Sequence, residues 1–121
     1  MQPFIPSDVG PLQALIDELE FNHRVAEMDQ KKEVGCHFRD KQFSKAIEYG
    51  SISILEDDLK NSINDAYATM GAANVFLSAA FSQPLTSRDN KVNSAIDEIK
   101  KSKPKIEKAK EELLKFLGKE L

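Results

Sequence analysis

Val92, Ile99, Ile106 and Leu113 stand seven residues apart in a stretch that is otherwise largely polar and charged. Seven residues is close to two helical turns, so these side chains share one face of an α-helix and no common face of a strand. The same spacing organises most of the chain. Leu12, Leu15, Ile16 and Leu19 recur at three and four, with Ser7 or Asp8 ahead of them as a cap. Ile63, Ala66, Tyr67, Met70, Ala73, Leu77 and Ala80 predict a helix over about 62–82. Phe43, Ala46, Ile47, Gly50, Ile54 and Leu55 form another stripe that fades at "EDDLKN". From His23 to Arg39 the polarity stays helical, thinned to Val25, Ala26, Met28, Val34 and Phe38, and the chain either continues the first helix or restarts near Asn22. No alternation of period two persists, and neither Gly-Asn nor Asp-Gly hairpin turns occur. The expected fold is all-α, with antiparallel helical hairpins forming a small bundle or a short right-handed array with flanking helices.

Two prolines punctuate the second half. Pro84 closes the helix before it, and Thr86 or Ser87 supplies the next cap. Pro104 lies inside the seven-residue pattern without breaking its phase. Proline costs about 3 kcal/mol in a helix interior and is welcome in a first turn. The expectation is therefore two nearly collinear segments, the second capped by Ser102 or Lys103.

A chain of 121 residues suits one domain, 1–121, with residues 1–10 as an extended lead. The opening "MQPFIPSDVG" has neither the basic patch nor the apolar run of a secretory signal. The longest uncharged stretch, "AYATMGAANVFLSAAFSQPLTS", is diluted by Thr69, Gly71, Asn74, Ser78 and Ser82, which fits a core helix better than a membrane span. Cys36 is the only cysteine, so no internal disulfide forms, and a cytoplasmic, intracellular setting is expected. The net charge of −3 hides an asymmetry. Residues 100–121 hold eight lysines against four acids, an excess of four that leaves the first 99 residues at −7. The lysines alternate with Glu107, Glu111, Glu112 and Glu120, as on a solvated helix face, so nucleic-acid binding is not the first expectation.

The stretch "VGCHFRDKQFSKAI", residues 34–47, combines an aliphatic residue and glycine, an aromatic three residues on, a short polar turn, and then aromatic-x-x-Ala-Ile. It resembles the tetratricopeptide repeat. The resemblance places Val34, Gly35 and Phe38 on a first helix and Phe43, Ala46 and Ile47 on a second, with Gly35 and Ala46 at the crossing. A glycine weakens a helix by about 1 kcal/mol, so it wants such a packing reason. Gly71 stands 36 residues after Gly35, and Tyr67, Met70 and Gly71 match the start of a second unit, making Gly71 a second helix-crossing position. Family members that hold a terminal carboxylate use an asparagine after this glycine. Cys36 stands there instead, so that activity is not carried over.

Candidate chemistry is thin. Cys36 and His37 are neighbours pointing about 100° apart on a helix, which suits neither a nucleophile–base pair nor a metal site. Glu56, Asp57 and Asp58 are consecutive and read as a solvated helix end. "AYATMGAAN" faintly echoes a histidine phosphotransfer helix, but Tyr67 and Met70 stand where the histidine and lysine belong. The expectation is a non-enzymatic protein–protein interaction module, an adaptor or a subunit of an assembly, with no catalytic residue, metal or cofactor. Phe38, Tyr49 and Tyr67 are its expected binding residues, a protein, a peptide helix or a second copy its expected partner, and segments 9–21 and 104–117 cover the ends. The alternatives are a pseudo-phosphotransfer docking domain and weak nucleic-acid binding through the basic C-terminal helix.

Overall fold

The structure, a computed structural model, describes residues 6–28, 37–82 and 85–120, with side-chain surroundings for 10–28, 37–80 and 92–118. Four helices follow in order: α1 (Pro6–Glu27), α2 (Lys41–Glu48), α3 (Asp57–Ser82) and α4 (Leu85–Glu120). The protein is an all-α bundle, and the described residues contain no strand.

The scaffold is the α3–α4 hairpin. Leu59, Ile63, Ala66, Met70, Ala73, Leu77 and Ala80 are all buried and step by four and three along α3. Ala95, Ile99, Ser102, Ile106, Ala109 and Leu113 do the same along α4. On each helix, alternate positions of this seam sort by size. Ala66, Ala73 and Ala80 on α3, and Ala95, Ser102 and Ala109 on α4, form small columns beside columns of Ile, Met and Leu. Small residues let backbones close in while large ones interdigitate, the seam of an antiparallel coiled coil. Lys105 of α4 reaches Asp65 and Thr69 of α3 at 3.2 and 3.0 Å, which sets the register. The buried Ser102 hydroxyl bonds the Ile99 carbonyl at 2.7 Å, so a polar atom sits in the seam satisfied.

α4 is one helix of 36 residues that runs through Pro104, not the two collinear segments expected from sequence. Its apolar face, continuous across the proline, outweighs the missing N–H. At 1.5 Å per residue it is a rod about 54 Å long. α1 packs on the same rod, burying Leu12, Leu15, Ile16 and Leu19. It begins at Pro6, inside the stretch expected to be extended, and proline at a first helical position leaves no extra donor unpaired. It is unbroken through Asn22. The faces of 9–21 and 104–117 are thus both engaged in the core.

α2 is shorter than its stripe suggested, and α3 starts five residues earlier than expected, with Asp57 and Asp58 in its first turn where the helix dipole favours acids. The cause is Gly50, at φ +78°. Gly50 N–H donates to the Ile47 carbonyl at 3.0 Å and Ser51 N–H to the Ala46 carbonyl at 2.9 Å, the paired bonds of a Schellman stop. Ile47 and Ile54, assigned to the buried stripe, are consequently about half exposed.

Candidate functional site

The backbones of α1 and α3 do not approach each other closely. What lies between them is the non-helical strap 37–40 and the first turn of α2, held by polar side chains that aim at main chain. Glu18, one turn before Asn22 on the buried face of α1, is 6% exposed. Its carboxylate accepts Gln42 N–H at 2.8 Å, Phe43 N–H at 3.2 Å and the Tyr67 hydroxyl at 2.7 Å. Asp40, the residue at the cap position of α2, makes no capping bond of its own. The cap therefore comes from another helix, a full negative charge against the free N–H groups of α2. Phe43 stacks on the Tyr67 ring, centroids 4.1 Å apart and planes 4° from parallel. Burial pushes the Tyr67 phenol far above its ordinary range, and the Glu18 charge and hydrogen bond, with a lesser push from Asp40, add to it.

One turn on, two asparagines grip the strap from opposite sides. Asn22 of α1 donates to the Arg39 carbonyl and accepts Arg39 N–H, both at 2.9 Å. Asn74 of α3 donates to the Phe38 carbonyl at 2.9 Å and accepts Phe38 N–H at 2.8 Å. Each amide thus replaces both partners a residue would have in a sheet ladder, leaving the buried main chain satisfied. The Arg39 guanidinium lies 3.9 Å from the centroid of the Phe21 ring. His37 meets the Ser78 hydroxyl at 3.2 Å.

These contacts relocate the expected site residues. Phe38 is not on a helix but in the strap, and it is buried, as is Tyr67, so neither lines an open groove. Tyr49 is 66% exposed at the end of α2. Ala46 is fully buried in α2, where α2 packs on α1, while Gly35 and Cys36 lie outside the described residues. Gly71 corrects an expectation. A Cβ there would meet nothing within 4 Å, so among the described residues no helix crosses at it. Three of the basic-tail lysines are engaged in pairs, Lys101 with Glu98, Lys105 with Asp65 and Lys108 with Glu112.

Glu18, Asn22 and Asn74 were missed in the sequence. Their signal was phase: Leu15, Glu18, Asn22 and Val25 share one face of α1, and a polar group on an apolar face must find a partner.

Among the described residues, the outside of α3 is exposed. Ala68, Gly71, Val75 and Ser78 follow one another at three and four, all exposed, and Val75 is 67% exposed. No charged residue occurs between Asp65 and Arg88, in a chain that is 31% charged, so this face lacks the usual dress of a solvated helix. Among the described residues no cluster of His, Cys, Asp or Glu is suited to a metal, and no helix is long and apolar enough to cross a membrane. Against known proteins, the chain matches no family model, no curated sequence and no solved structure.

Proposed function

We propose that the protein is a non-enzymatic interaction module, an adaptor or assembly subunit, and that a helix of a protein partner docks along the outer face of α3 across Gly71. The observation that carries this reading is the uncharged small-residue face Ala68–Gly71–Val75–Ser78. A glycine on an exposed helix weakens it, yet space is open where its side chain would stand. A partner helix crossing there approaches to about 8–10 Å and buries Val75, which this fold leaves in water. Tyr49, Ile47 and Ile54, around the end of α2, are further exposed apolar side chains.

The test is affinity purification from the native cell with the intact chain and with Gly71→Glu or Val75→Glu. Both positions are exposed, so circular dichroism and melting temperature should stay close to those of the parent. The expected result is one protein retained by the parent and lost from both variants. A mass doubling of the parent alone, abolished by the same substitutions, would identify the partner as a second copy. Capture that survives both charges sinks the proposal.

A further inference from the structure

His23 sits in the penultimate turn of α1, 22% exposed, between two carboxylates. Its Nδ1 is 3.1 Å from Glu27 Oε1 on the same helix, and its Nε2 is 2.7 Å from Glu107 Oε1 on α4. We infer that His23 is a pH-operated clasp between α1 and α4, closed while the imidazole carries two protons and opened when it loses one.

A carboxylate only accepts hydrogen bonds, and a neutral imidazole has a single N–H. With both ring nitrogens facing carboxylates, a neutral ring necessarily turns one lone pair toward a negative oxygen. Only the imidazolium satisfies both contacts, and 2.7 Å falls at the short, charge-assisted end of N–H···O distances. Glu107 agrees from the other side. The hydrogen bond from His23 holds its carboxyl below the ordinary range against an opposing desolvation, helped by the charges of His23, Lys103 and Lys110. The other charges beside the ring on α1 are Arg24 and Glu20, which pair with each other at 3.1 Å.

The sign of the effect follows. On the acid side, a depressed Glu107 contributes stability above its ordinary value of 4.5 that is lost as pH falls through the folded value. On the alkaline side, the clasp weakens once the ring gives up its second proton, because a neutral ring meets one of the two carboxylates with a lone pair. The contact is therefore strongest while the Glu107 carboxyl is ionised and the ring carries both protons, and the end of α1 beside the strap-holding Asn22 loosens when the ring is neutral.

The experiment is denaturant unfolding of the full chain at several values between about pH 5.5 and 8, for the parent, His23→Gln, Glu107→Gln and His37→Gln. Because both partners are partly exposed, the parent should lose up to about fivefold in its folded-to-unfolded ratio across the window. His23→Gln should abolish that loss, Glu107→Gln should reduce it because the Glu27 contact remains, and His37→Gln should retain it in full. Ring nitrogen chemical shifts give a second reading that needs no substitution. Both nitrogens of His23 should be protonated at the acid end. Parallel pH profiles for parent and His23→Gln, or a neutral His23 ring at the acid end, overturn the clasp.

Discussion

Glu18 of α1 and Tyr67 of α3 meet at 2.7 Å through a buried hydroxyl–carboxylate bond, joining two helices whose backbones stay apart. The same carboxylate terminates α2, so one side chain serves three helices. Replacing Tyr67 by Phe removes one charged hydrogen bond and leaves the cap in place, at an expected cost of about 2 kcal/mol in urea unfolding. Glu18→Ala strands the phenol and two N–H groups together and should cost about 3–5 kcal/mol. If the two variants are equally stable, Glu18 is not the cap.

The Tyr67 phenol also gives a pH signature. Its folded value is raised above the ordinary 10.0, so its stabilising contribution is whole below that pH and drains away above it, where the unfolded chain releases the proton first. Phenolate absorbance should therefore show one of the two tyrosines silent until the chain unfolds at high pH. A complete two-tyrosine titration in folded protein would contradict the burial.

Asn22→Ala and Asn74→Ala each orphan one N–H and one carbonyl of the strap, and each should destabilise by about 1–3 kcal/mol. Because they grip neighbouring residues of one strap, Arg39 and Phe38, the double variant should cost less than the sum, with a coupling of about 0.5 kcal/mol or more. Hydrogen exchange at the Phe38 and Arg39 amides should accelerate in the matching variant first.

Three substitutions at backbone-sensitive positions have opposite signs. Gly50→Ala meets only an ordinary contact, Ser53 Oγ at 3.7 Å, so its cost is conformational, about 1–2 kcal/mol for a left-handed residue. Gly71→Ala fills open space in a helix and should stabilise by up to about 1 kcal/mol. Ser51→Ala removes a buried hydroxyl without a partner and should be neutral or stabilising by about 1 kcal/mol. Thermal melting orders all three.

Pro104 is exposed and lies in the interior of α4. Pro104→Ala restores a donor for the carbonyl four residues earlier and should stabilise by about 1–3 kcal/mol. A loss of stability would show that the proline shapes a bend the bundle needs.

Much of this fold was legible in periodicity, because burial on a helix repeats. The stripes Leu12–Leu19 and Ile63–Ala80 emerge as core, and Ile99, Ile106 and Leu113 keep their shared face straight through Pro104. The strap was not legible. "HFRD" has a polarity compatible with helix, and the bonds that hold it run from Asn22 and Asn74 to main chain, leaving no pattern in the residues being held. Gly50 looked like part of a stripe because composition does not reveal φ. Gly71 was taken for an internal crossing because a glycine records that something wants room, and not whether it lies inside the fold or beyond it.

A strap wedged between α1 and α3 can be gripped on both sides only after both helices have found α4. Its seating is then the closing move of assembly, and the transition state should lack it. Asn22→Ala and Asn74→Ala should hasten unfolding while leaving the refolding rate almost unchanged, with φ-values near zero. The grip on Phe38 and Arg39 would then govern how long each molecule stays shut more than how quickly it forms.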